Sequence, residues 1–215
     1  MINLQVIRNF LENSYLIDNF STLNNKGTNI TFHRKVLTKV PDWTNSEKLL
    51  SELIVSADEL IEDVEEPHIE MDFANKMIGG GVLRRGCIQE EIRFAINTEL
   101  IVSLLFTAKM EDHECVVITG AERYSKYTGY SYTFEWVDDF QDTKPVYVFN
   151  AVFIVISRDE LNRVSTCVVA IDALYFGVPP AQYLQTNIER ELNKAYLGFD
   201  IDEGASTSKL PIATG

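Results

Sequence analysis

Short apolar segments alternate along this chain with stretches of helical spacing, and that alternation limits the possible folds more than any other feature. Glu114-Cys115-Val116-Val117-Ile118-Thr119-Gly120 reads as a buried strand ending in glycine, and Val168-Val169-Ala170-Ile171-Asp172-Ala173-Leu174 as another. Leu53-Ile54-Val55 and Ile69-Glu70-Met71-Asp72-Phe73 are strand-like, with the acidic run Glu62-Asp63-Val64-Glu65-Glu66 between them as a solvated loop. Ile88 to Phe106 predicts one long helix, with Ile92, Ala95, Ile96, Leu100, Val102 and Leu105 among its apolar positions. A second helix is expected from Ile188 to Tyr196, capped by Gly198. Strand and helix in repeated alternation predict an α/β domain with a parallel or mixed sheet.

The flanks are less regular. Val6, Ile7, Phe10 and Leu11 have one-face helical spacing, Asn24-Asn25-Lys26-Gly27 is a turn, and Thr28 to Phe32 reads as a short strand. Pro41-Asp42-Trp43 marks a boundary. Residues 1–45 are therefore expected to be an accessory helical and extended segment, and 46–215 the main domain. Val137 to Arg163 reads as an inserted excursion. No apolar run approaches the roughly 20 residues that span a bilayer, and the first residues lack the pattern of a secretory signal. A soluble, intracellular protein without membrane contact is the expectation.

Charge narrows the partners. The net charge of −13 opposes direct binding to DNA or RNA, which needs a basic face. The three cysteines, Cys87, Cys115 and Cys167, form no CxxC pair and read as reduced thiols. His33, His68 and His113 lack ligand spacing, so neither a metal site nor a cofactor is expected.

The chemistry is concentrated between Asp72 and Glu91. An acid and an amide, Asp72 and Asn75, stand at a strand end, followed by Gly79-Gly80-Gly81 and then by Gln89-Glu90-Glu91 entering a helix. Consecutive glycines let backbone approach a ligand closely, and exposed amides in such a turn make an anion-binding concavity. Open α/β sheets bind ligands beyond the carboxyl ends of their strands, where this loop falls. Neighbouring helical residues project about 100° apart, so Glu90 and Glu91 divide their labour. One can hold a sugar hydroxyl while the other exchanges a proton with a glycosidic oxygen. The helix N-terminus favours ionisation of both, so the working acid needs burial or its neighbour's charge to raise its pKa. Taken singly, acids in a first helical turn answer the dipole and a glycine run is a flexible turn; their combination is what points to chemistry.

Gly79-Gly80-Gly81, seven residues, then Gln89-Glu90-Glu91 resembles the signature of poly(ADP-ribose) glycohydrolases. Met71-Asp72-Phe73-Ala74-Asn75, Ile118-Thr119-Gly120-Ala121-Glu122, Tyr127-Thr128-Gly129-Tyr130 and Arg190-Glu191-Leu192-Asn193-Lys194-Ala195-Tyr196 are similar to that family as well. The resemblance implies a macrodomain-like three-layer α/β/α fold with a mixed sheet, preceded by the short N-terminal segment. It also implies hydrolysis of ribose–ribose bonds in poly(ADP-ribose), with ADP-ribose as product. By matching position, Glu91 is the acid/base, Glu90 holds the ribose hydroxyls and Asp72 orients the site. Asn75 and Gln89 bind substrate, and Gly79, Gly80 and Gly81 lie against the diphosphate and distal ribose. Tyr130, with Tyr127 close by, belongs at the adenosine end, and Ile61 and Glu62 contact adenine. The partners implied are poly(ADP-ribose) on modified proteins and free ADP-ribose, in the nucleus or cytoplasm.

Two departures stand out. Arg84-Arg85 occupies a stretch where the family has small or neutral residues; surface placement is expected. The sequence closes on Ile212-Ala213-Thr214-Gly215, where the family leads into a second diphosphate-binding loop, so a fold incomplete at its C-terminus is expected, with an exposed strand edge. That departure raises an alternative, an impaired ADP-ribose-binding module or a non-functional fragment.

Overall fold

The computed structural model describes residues 29–49, 51–64, 67–141, 145–148, 151–154, 158–200 and 210–215. The helical spacing at Val6 to Leu11, the turn at Asn24 to Gly27 and the pair Glu65-Glu66 fall outside them.

Five strands form the main sheet, in the order β1 (Thr31–Val36), β3 (Glu114–Thr119), β8 (Cys167–Asp172), β2 (Ile69–Ala74), β9 (Ile212–Ala213). β1 and β8 run antiparallel to β3, while β2 runs parallel to both β8 and β9. The sheet is mixed. Every residue of β8 and nearly every residue of β3 is buried, as central strands covered on both faces must be. β4 (Ser125–Thr128) and β5 (Glu135–Asp139) make a separate hairpin, and β6 (Pro145–Val148) and β7 (Ala151–Ile154) another. The expected excursion thus contains its own two-stranded ribbon.

Side-chain alternation sorts the core into two layers. Ala74, Val116, Ile118, Val168 and Ala170 meet Phe94 of helix α1 (Gln89–Ile96) and Leu100 of the following 3-10 stretch, Thr98–Leu105. Ile69, Val117, Val169 and Ile171 meet Leu197 of helix α2 (Gln185–Phe199) on the opposite face. Helix, sheet and helix make the three layers.

Several expected elements differ. The long helix from Ile88 stops at Asn97, whose backbone (φ −113, ψ 71) leaves the helical region. Its buried amide accepts from Arg93 Nη1 at 2.9 Å and donates to Ala121 O at 3.2 Å. Tertiary bonds outweigh the apolar periodicity, and the chain resumes as 3-10 helix. Leu53-Ile54-Val55 forms no strand and is more than four-fifths exposed; strand propensity without a pairing neighbour does not make a strand. Gly198 is not a cap but lies inside α2, pressed onto the sheet. A Cβ there would come within 2.9 Å of Val169 Cγ1 and 3.1 Å of Ile171 Cγ2. β1 precedes the boundary expected at residue 46 and is nonetheless an edge strand of the main sheet. Trp43 also reaches the domain, donating from Nε1 to Asn193 Oδ1 at 2.8 Å on α2.

Candidate active site

β2 delivers the site. Its parallel partners place its carboxyl end beside that of β8, with Ala74 opposite Asp172, and the chain turns there into the glycine loop. Ile78 and Val82 are buried on either side of the glycines and pin the loop to the core. Gly79 (φ +82) and Gly80 (φ +49) sit in the left-handed region, where a side chain is strained.

The loop closes over the start of α1. Glu90 accepts from Gly79 N at 2.6 Å through Oε1 and from Asn75 N at 3.0 Å through Oε2. Glu91 accepts from Gly81 N at 2.8 Å through Oε1 and from Ile88 N at 2.9 Å through Oε2. Each carboxylate oxygen therefore has one backbone donor, and both side chains are buried. Glycine is required for this closeness: a Cβ on Gly80 would strike both carboxylates, and one on Gly86 would lie 2.5 Å from Glu91 Oε1.

Asp72 precedes Asn75 near the end of β2, fully buried, with neither carboxyl oxygen hydrogen-bonded among the described residues. Burial pushes its pKa well above the ordinary carboxyl range. Glu90 adds to the rise, Arg93 opposes it and Glu91 adds again. Glu90 is pushed up to about 7, chiefly by burial; the Asn75 and Gly79 amides pull it down and the charge of Glu91 raises it. Arg93 forms a buried ion pair with Glu70, joining α1 to β2 below the site.

Gln89 is spent on structure. Its Nε2 donates to Met71 O at 3.1 Å and its Oε1 accepts from Phe73 N at 2.9 Å, so the side-chain amide pairs with β2 beyond the two residues that β9 covers. Asn75 Oδ1 accepts from Met77 N at 3.0 Å, folding the turn that leads to the glycines.

The aromatic residues part company. Tyr130 OH accepts from Gln89 N at 3.2 Å, which sets its half-exposed ring against the first turn of α1. Tyr127 OH donates to Glu62 Oε1 at 2.6 Å, and its ring lies 5.4 Å from that of Phe134. Burial, then the hydrogen bond to Glu62, pushes the Tyr127 phenol up. Ile61 O is bound by His68 Nε2 at 3.0 Å. One group thus contains Asp72, Asn75, Gly79 to Gly81, Gln89 to Glu91 and Tyr130, and a neighbouring one Ile61, Glu62 and Tyr127. Gly215 lies near Ile61 and Phe73 of β2: a Cβ there would come within 3.9 Å and 3.7 Å of them.

Comparison with known proteins gives the family. The family model described as "Poly (ADP-ribose) glycohydrolase (PARG), Macro domain fold" matches residues 40–215. The chain belongs to the poly(ADP-ribose) glycohydrolase family. Among its relatives, poly(ADP-ribose) glycohydrolase 1 of Arabidopsis thaliana is 42% identical over 174 residues, covering 79% of this chain and 29% of that protein. The probable poly(ADP-ribose) glycohydrolase 2 of the same plant is 33% identical over 206 residues, 86% of this chain and 37% of that protein. Poly(ADP-ribose) glycohydrolase 1 of Caenorhabditis elegans is 37% identical over 151 residues, 68% of this chain and 18% of that protein. The matches thus take in between 18% and 37% of the length of these three.

Within this macrodomain fold, one physical expectation is corrected. The glycine amides do not stand open as an anion cradle. Gly79 N and Gly81 N hold the glutamates, and Gly80 N donates to Met77 O at 3.0 Å. The acid pair fills the concavity because each oxygen needs a donor once it is buried. Gln89 likewise has its amide engaged with β2 rather than open to a ligand, and Tyr130 borders the helix start rather than the Glu62 group. Gly86 is the residue that inspection of the sequence passed over. Its recurrence between the triple glycine and the acids is the only local signal that Glu91 needs room there.

Proposed function

We propose that this chain carries a centre for hydrolysis of ribose–ribose O-glycosidic bonds in poly(ADP-ribose), releasing ADP-ribose. The observation that carries this reading is the pair of buried carboxylates, each fixed by two backbone amides, on a glycine turn at the carboxyl end of β2. A binding site has no need for two acids gathered at such desolvation cost; acid–base chemistry does.

In this scheme Glu91 protonates the bridging oxygen as the bond to the anomeric carbon breaks. It then takes a proton from the water that adds to that carbon, so the acid is regenerated. Glu90 accepts the hydroxyls of the ribose being cleaved. Asp72, beneath it, loads the cluster with a second titrating carboxyl, and Tyr130 offers an exposed ring beside the first turn. The Ile61, Glu62 and Tyr127 group is assigned to the adenine end. Poly(ADP-ribose) on modified proteins is the substrate proposed, in the nucleus or cytoplasm.

Purified protein incubated with labelled poly(ADP-ribose) tests the reading. The parent is expected to release ADP-ribose, and Glu91→Gln to do so at least about 100-fold more slowly. Equal release by the two removes Glu91 from the acid role. Binding without release by the parent reassigns the site to recognition of ADP-ribose.

A further inference from the structure

The described arginines divide sharply. Arg34, Arg93, Arg123, Arg158, Arg163 and Arg190 each ion-pair with a carboxylate. Arg84 and Arg85 are exposed and have no ion pair or side-chain hydrogen bond among the described residues. In a chain of net charge −13, where acids outnumber bases, these two adjacent guanidinium groups stand apart from the other described arginines in having no acid among the described residues.

Their location is as telling. Gly81 O accepts from Arg84 N at 2.7 Å and from Gly86 N at 3.1 Å, so residues 82–85 form a tight loop pinched at its base. That base is the wall of the Glu91 pocket: Gly81 N binds Glu91 Oε1, and Gly86 abuts the same carboxylate. Buried Val82 anchors the loop from within. Arg85 adjoins Gly86 and Arg84 is one residue further, within about 7 Å of chain. The doublet is therefore held at a short, fixed distance from Glu91, on the solvent side.

We infer that Arg84 and Arg85 bind a pyrophosphate of the polymer outside the cleaved unit, and so favour chains over single ADP-ribose groups. This rests on the function proposed above. Planar guanidinium groups match phosphate oxygens in bidentate fashion. Each unit of the polymer carries a pyrophosphate, and the glycine amides are occupied by the glutamates. Exposed charges further apart than about 8 Å are largely screened at physiological salt, so a nearby basic doublet acts on a bound polyanion more than the distributed negative charge does.

The test compares the parent with Arg84→Ala/Arg85→Ala, both carrying Glu91→Gln so that the polymer survives the measurement, in equilibrium binding of poly(ADP-ribose), of monomeric ADP-ribose and of single-stranded RNA of matched length. Expected for the double variant is polymer affinity lower by about tenfold or more, because its charge-assisted bonds are gone. The plot of log affinity against log salt should flatten by roughly 0.7 for each phosphate that the variant no longer neutralises, while ADP-ribose affinity holds. Unchanged polymer affinity and salt slope overturn the inference. So does a parallel fall for ADP-ribose, which would place the doublet at the cleaved unit, or an equal fall for RNA, which would make it a general polyanion site. If polymer is bound through the doublet but stays uncut when Glu91 is restored, the hydrolytic reading fails and this one stands. If the parent binds no polymer, both fall.

Discussion

Asp72 and Glu90 are both buried carboxyls, but they are stabilised by different means. Glu90 has two amide donors, which favour its ionised form against the cost of burial, and its pKa settles at about 7. Asp72 has no donor among the described residues and lies at zero exposure beside a second acid. Among the described residues only Arg93 offsets the charge of Asp72, and it is already engaged with Glu70. Both carboxyls bind a proton more tightly in the folded protein than in the unfolded chain. The stability they lend is therefore whole below the ordinary carboxyl range, about 4, and is lost as the pH rises, for Glu90 through about 7. Asp72→Asn keeps the shape and removes one of these titrations. Its melting temperature should fall less steeply than that of the parent as the pH rises above the ordinary carboxyl range, about 4. Parallel melting curves for the two proteins above that range would show that Asp72 carries no proton to lose.

At the scale of elements, the loop and helix that frame the acids can be separated experimentally from the stability of the fold. Gly86→Ala puts a methyl group against Glu91 from Cγ to the carboxylate, so the acid must leave the Gly81 and Ile88 amides that hold it while the backbone keeps its course. Hydrolysis should drop by about 100-fold, the cost of misplacing a reacting group by about 1 Å, with the melting temperature lowered by only about 4 °C for the two amide bonds given up. A melting temperature lowered by about 10 °C would instead mean that the loop itself had moved. The acids, the triple glycine and β2 were legible in the sequence because they lie within one short stretch and each obeys a local rule. So were β3 and β8, whose burial is written in uninterrupted apolar residues. What the sequence hid depends on contacts between distant residues. The helix break at Asn97 is made by Ala121 O and Arg93, and by Tyr124 N donating to Ile96 O at 2.8 Å. The occupation of the glycine amides by Glu90 and Glu91, and of the Gln89 amide by β2, follows from a fold that brings residues 71 to 91 back upon themselves. Leu53 to Val55 has the composition of a strand and lacks a partner. Gly198 has the look of a cap and is a point of contact with β8.

On the scale of the whole molecule, the sheet is clamped to each helical layer by buried charge. On one face Arg93 of α1 meets Glu70 of β2. On the other, Lys194 of α2, 1% exposed, donates to Asp172 Oδ1 at 2.6 Å, to Glu111 O at 2.7 Å and to Glu114 O at 2.5 Å. Arg190 adds a bond to Asp172 Oδ2 at 2.6 Å. Asp172 ends β8 directly opposite Ala74, the residue before Asn75 and the glycine loop. The clamp therefore sets the position of the strand ends from which the acid cluster is hung. Lys194→Met fills the same space but takes one donor from the carbonyl oxygens of Glu111 and Glu114 and leaves Asp172 with half its compensation. Removing one partner of a buried pair costs about 3–5 kcal/mol, or roughly 10 °C in melting temperature for a domain of this size. Urea unfolding should show the midpoint shifted down with its slope kept, since the surface exposed on unfolding is unchanged. Below its own transition the variant should retain its three layers and hydrolyse more weakly than the parent, because the end of β2 is held from one side only. A midpoint equal to that of the parent would show that Arg190 alone secures Asp172, and that α2 stays on the sheet through apolar contact.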